Sequence, residues 1–84
     1  MNSQHKAIRT LLTSMSPKRA TDYVSAFELP ADEEASILLH DVRGLSYQQI
    51  SEICHACPET IKARRRKAYS KIVDAIEYEK SRED

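Results

Sequence analysis

Apolar residues recur along this chain at helical spacing. Ile8, Leu11, Leu12 and Met15 stand at i, i+3, i+4 and i+7, which places them on one helical stripe. Ala20, Tyr23, Val24 and Phe27 repeat the spacing, and Ala35, Leu38, Leu39 and Val42 form a third stripe. Ile50, Ile53 and Cys54 make the apolar face of a short fourth helix, and Ile61, Ala68, Ile72, Ala75 and Ile76 mark the buried side of a last one. The residues between the stripes punctuate them. Ser16-Pro17 pairs an N-cap with a proline suited to the first helical turn. Pro30 closes one helix and opens the next, where Asp32, Glu33 and Glu34 suit the positive end of the helix dipole. Gly44 is placed to end that helix, Ser46 with Gln49 has the form of a capping box, and Pro58 starts the last helix, whose pattern runs to about Lys80.

The pattern predicts an all-α fold, a small bundle of about five helices in which residues 45–72 read as helix, tight turn, helix. That is the helix-turn-helix motif, whose second helix enters the DNA major groove. Residues 1–28 would supply an N-terminal helical pair, 29–80 the helix-turn-helix domain and 81–84 a charged tail, all within one compact domain. Two readings of the pair stand. It completes a core that short helices cannot close alone, or its Lys6, Arg9, Lys18 and Arg19 add phosphate contacts or a partner surface.

A chain of 84 residues buries a modest core, which argues against a cleft walled by two lobes. The formal net charge is zero, but its distribution is uneven. Residues 1–19 hold Lys6, Arg9, Lys18 and Arg19 and no acid, and residues 28–41 hold acids and no Lys or Arg. Residues 58–72 hold Lys62, Arg64, Arg65, Arg66, Lys67 and Lys71 against Glu59 alone. A local positive field therefore sits on the second helix of the motif. No apolar run approaches the roughly 20 residues of a membrane span, and "MNSQHKAIRT" has no signal-peptide hydrophobic region. The expected location is the cytoplasm, with the two cysteines as thiols.

A helical wheel divides the basic run. With Ile61 facing the core, Ala68, Ile72 and Ala75 lie beside it, and Glu59, Ala63, Arg66 and Ser70 lie near the opposite side. The outer face at the helix start is Glu59, Thr60, Lys62, Ala63, Arg66 and Lys67, with Arg64 on the flank leaning toward a backbone phosphate. Arg and Lys suit guanine or phosphate, Thr either, and Glu accepts from cytosine. Arg65 falls beside the core stripe. Its stem is expected against a neighbouring helix and its head in solvent or on an acid.

The stretch "LPADEEASILLHDVRGLSYQQISEICHACPETIKARRRKAYSKI", Leu29 to Ile72, resembles region 4 of the sigma-70 family of bacterial transcription factors. The most specific piece is "GLSYQQISEI", in which the family's Ser caps the motif's first helix and its two Ile side chains pack that helix onto the second. "ETIK" followed by basic residues resembles the start of the recognition helix. "PETIK" also fits the LuxR-type DNA-binding domain, whereas "LSYQQI" leans toward sigma. The resemblance implies promoter binding at the −35 element, RNA polymerase docking on a second surface, and DNA contacts by Glu59, Lys62, Ala63, Arg66 and Lys67, with Thr60 and Arg64 toward phosphates. The chain departs from the family at the turn. His55 stands where Gly is usual, Ala56 where a larger aliphatic is usual, and Cys57 at the Ser cap position, where it should cap poorly. Region 2 is missing, so the expectation is a stand-alone regulator of small bacterial or phage type.

Other chemistry finds little support. Cys54-x-x-Cys57 has zinc-like spacing, but zinc takes four ligands, and a second pair is missing. Cys54 continues the Ile50 stripe as a small hydrophobe. A redox CxxC needs a βαβ context. One glycine cannot build a phosphate-gripping loop. His40 reads as a surface or partner-facing group. The Tyr47 hydroxyl either reaches a phosphate or packs inward. No catalytic residue, cofactor or metal site is expected, and the chain is not expected to be an enzyme.

Two functions remain. One is a sequence-specific DNA-binding transcription regulator that docks on polymerase or forms a homodimer through Tyr69, Val73, Ile76 and Tyr78 of the last helix. The other is a protein-interaction module that binds RNA polymerase, or displaces sigma, with little DNA affinity.

Overall fold

The computed structural model describes residues 3–83, so Asp84 at the end of the charged tail lies outside the described residues. Among the described residues five helices follow one another: α1 (Ser3–Ser14), α2 (Pro17–Ser25), α3 (Ala31–Ile37, continued by a π-helical turn over Leu38–Val42), α4 (Tyr47–Cys54) and α5 (Pro58–Glu83). No strand occurs among the described residues. Among the described residues no helix is long and apolar enough to cross a membrane. The local signals act as their chemistry requires. Ser16 accepts from the Arg19 N–H and Pro17 opens α2. Ser46 and Gln49 exchange both bonds of the capping box, at 3.1 and 2.9 Å. Gly44 adopts φ 75° after the π turn, which lets the Leu45 N–H return to the Leu39 carbonyl at 2.9 Å.

α5 is the axis of the molecule. Its 26 residues would span about 39 Å at helical rise and account for most of the 45 Å long dimension. Ile8 and Leu12 of α1, Ala20 and Val24 of α2, and Ile37 of α3 bury against Ala68, Tyr69, Ile72 and Val73 of α5 in one core cluster. The first two helices therefore share their apolar faces with the helix-turn-helix. The last helix runs to Glu83, beyond the Lys80 expected.

Two predicted stripes are corrected. In α3 the buried positions are Glu33, Ser36 and Ile37, whereas Ala35, Leu38, Leu39 and Val42 are half-buried. The helix changes period at its C-terminal end, where the Arg43 N–H bonds back to Leu38 rather than Leu39, so the side chains there leave the register of a regular helix. Glu33 tolerates burial because the Lys71 ammonium lies 2.9 Å from its carboxylate. In α4 Ile50 is fully buried, but Ile53 is 56 % exposed and does not join α4 to α5. The homodimer surface is corrected too. Tyr69 and Val73 belong to this chain's own core, Ile76 is half-buried against it, and Tyr78 alone of the four is exposed.

Candidate nucleic-acid interface

The site is built on the turn between α4 and α5. α4 ends at His55, whose backbone takes the left-handed conformation, φ 56° and ψ 42°. That is why a glycine suits this position better, since a side chain is strained there. Ser51 secures the turn from both sides. Its carbonyl receives the Ala56 N–H, and its hydroxyl donates to the Ala56 carbonyl. Cys57 then stands at the start of α5 with its sulfur 3.1 Å from the Thr60 hydroxyl. That hydroxyl, together with the Thr60 N–H, pushes the exposed Cys57 thiol below its ordinary pKa. Sulfur therefore occupies the cap as a weak acceptor where an oxygen would bond more strongly. Cys54 is half-buried, Cys57 is exposed, and both thiols are free. Among the described residues no group of three or more His, Cys, Asp or Glu is placed to hold a metal ion.

Beneath the start of α5 lies a polar knot that fixes its position. Arg65 makes a bidentate pair with Asp41, Nε to Oδ2 at 2.7 Å and Nη2 to Oδ1 at 2.8 Å. The two side chains are 9 and 3 % exposed. Arg65 also donates to the Tyr47 hydroxyl at 3.2 Å, and its guanidinium lies 5.0 Å from the centre of the Tyr69 ring. Burial opposes the guanidinium's charge, but the hydrogen bonds and charge of Asp41 outweigh it and hold Arg65 more firmly protonated than usual. Tyr47 stacks on His40 with centroids 4.2 Å apart, and the His40 Nδ1–H donates to the Leu45 carbonyl at 2.9 Å. One residue each from the π turn, α4 and α5 thus meets at a single ion pair. The Arg65 head finds an acid, as expected of it. The Tyr47 hydroxyl points inward to Arg65, which decides between its two readings. Asp41 and Ser51 were not singled out from the sequence. Asp41 announces itself only as a charge inside the apolar run Leu38, Leu39, Val42.

Of the predicted contact residues, Glu59, Lys62, Arg66 and Lys67 are exposed on α5. Lys62 holds its ammonium 5.3 Å from the centre of the Tyr47 ring. Thr60 and Ala63 are half-buried, Thr60 in the cap contact with Cys57. Arg64 is half-buried too and lies 3.4 Å from Asp32 at the start of α3. The run Arg64 to Lys67 is thus divided: one residue answers an acid at the surface, one is locked in the core, and two face solvent. Beside α3, an open groove of about 310 Å³ is lined by Ala31, Ala35, Leu38, Leu39 and Val42 together with Thr21, Glu34 and Arg43.

A capped short helix, a left-handed turn and a long helix with a basic outer face define a helix-turn-helix domain, the class that presents its second helix to DNA. The sequence model described as Sigma-70, region 4 matches residues 28–72, more than half of the chain, and the chain belongs to that family. Domains of this family are transcription-related and non-enzymatic, and they bind DNA and RNA polymerase. Comparison with the curated proteins and with the solved structures gives no significant match.

Proposed function

We propose that this protein is a sequence-specific DNA-binding transcription regulator that places the start of α5 in the major groove. The observation that carries the reading is the division of the basic run: the Arg65–Asp41 pair anchors α5 from beneath while Lys62, Arg66 and Lys67 face solvent. Lys62, Ala63 and Arg66 would read base edges, and Glu59 would accept from cytosine or exclude wrong partners. Thr60, Arg64 and Lys67 would position the helix on phosphates, Arg64 by exchanging Asp32 for a phosphate oxygen. A small monomer reads few base pairs, so useful specificity calls for a second contact. The groove of Leu38, Leu39 and Val42 supports RNA polymerase as that contact, because these residues form an apolar surface left half-buried in a family that binds polymerase.

The test is the salt dependence of duplex binding. Lys62→Ala and Arg66→Ala should each weaken affinity, and removing a side chain that neutralises a phosphate should lower the salt slope by about one unit. Unchanged affinity in both variants contradicts the assignment of this face. The alternative, a polymerase-binding module with little DNA affinity, rests on the same groove and on the neutralisation of Arg64 by Asp32 and Lys71 by Glu33. Capture of core polymerase without any duplex shift would favour it.

A further inference from the structure

We propose that α1 is a second DNA-contacting element, in which Lys6 and Arg9 grip the phosphate backbone beside the segment read by α5; this rests on the DNA-binding reading above. α1 crosses α5 near Tyr69 and Ser70. The His5 ring stacks on Tyr69 with centroids 5.6 Å apart, and its Nε2 is 3.5 Å from the Ser70 hydroxyl. Gln4, next in the chain, instead donates to Glu77. Neighbouring residues of α1 thus touch points on α5 about 10–12 Å apart along the axis, so α1 crosses α5 steeply, one flank toward the start of α5 and the other toward its end.

The wheel of α1 shows which flank carries charge. With Ile8 and Leu12 buried, His5 and then Arg9 lie on one side of the stripe, Lys6 lies further round that side near the opposite face, and Gln4 and Ala7 lie on the other side. The basic side is the His5 side, the one that meets Ser70. Ser70 stands one turn beyond Arg66 on the outer face of α5. Arg9 and then Lys6 follow His5 round the flank of α1 that meets α5 at Ser70, one turn before Asp74. Both are exposed, and neither meets a carboxylate among the described residues. Lys62, Arg66 and Lys67 are exposed too, whereas Arg64, Arg65 and Lys71 of α5 are each answered by an acid of α3 or its π turn. The occupant that suits a basic edge continuous with a major-groove helix is the backbone of the same duplex, since phosphates recur along both strands. α1 lies outside the residues 28–72 that match the family.

The experiment measures duplex affinity against salt for the full chain, the Lys6→Ala/Arg9→Ala variant and the charge-keeping Lys6→Arg/Arg9→Lys variant. The alanine pair should flatten the salt slope by about two units, and the charge-keeping pair should restore it. Base preference should be the same in all three, because phosphate contacts carry no sequence information. A duplex shortened on the α1 side should abolish the difference between the full chain and the alanine pair. Duplex binding with an unchanged slope in the alanine pair overturns the α1 contact and leaves the α5 reading intact. Absence of duplex binding by the full chain overturns both.

Discussion

His55 and Gly44 hold the same kind of backbone, φ 56° and 75°, with opposite consequences for stability. An L side chain in the left-handed region costs roughly 1–2 kcal/mol, partly offset by the greater freedom glycine has when unfolded. His55→Gly should therefore stabilise the fold by about 0.5–1 kcal/mol, and Gly44→Ala should cost about 1 kcal/mol. A Cβ at Gly44 would meet nothing within 4 Å, so that cost comes from the backbone alone. Urea midpoints moving in opposite directions confirm the pair of assignments, and equal shifts refute them. Tyr69 supplies a pH prediction. Its buried hydroxyl has no hydrogen-bond partner among the described residues, and burial, followed by the nearby Asp41 carboxylate, pushes the phenol well above its ordinary value. A group whose folded pKa is raised contributes stability that is fully present below the unfolded value, about 10, and is lost as pH rises through the folded value. Stability should fall above about pH 10, and Tyr69→Phe should remove Tyr69's share of the fall. An identical alkaline profile in the variant would refute this. The caps and the glycine were readable from the sequence because their chemistry spans three or four residues. The strain at His55 was visible only as a departure from the family's glycine.

At the scale of the helices, the ion pair of Arg65 and Asp41 joins elements whose contributing residues lie 24 positions apart. Removing one partner of a buried pair leaves an uncompensated charge and costs about 3–5 kcal/mol, whereas replacing both with apolar groups costs much less. Asp41→Ala should therefore destabilise the protein severely, and Asp41→Leu with Arg65→Met should recover most of the stability. Thermal unfolding of the two variants checks this, and a double variant no more stable than Asp41→Ala would show that the pair does not act as a unit. Periodicity was enough to place five helices, because each amphipathic stripe repeats within its own element. It failed for α3, where the π turn changes the period and leaves Leu38, Leu39 and Val42 lining a groove. It failed again at Ile53, because α4 is a short helix that buries Ile50 and leaves Ile53 on its flank. The wheel placed Arg65 beside the core but could not name its acid, since nothing local links residue 65 to residue 41.

Across the whole molecule, Asp32, Glu33 and Asp41 of α3 and its π turn pair with Arg64, Lys71 and Arg65 of α5, which leaves the outer face at the start of α5 basic within a chain of formal net charge zero. The placement of Tyr69 and Val73 in the core rather than on a homodimer surface follows from α1 crossing over them. The N-terminal helices thus close the core and, with Lys6 and Arg9 on phosphates, would also lengthen the DNA-facing surface. The central claim is that the start of α5 reads sequence. Its most direct test is selection of bound duplexes from a random pool by the full chain and by Arg66→Ala. The full chain should enrich a short common motif, and the variant should keep that motif while losing preference at one position, a loss of about 1–3 kcal/mol in discrimination. An unenriched pool, or a motif unchanged in Arg66→Ala, would contradict it.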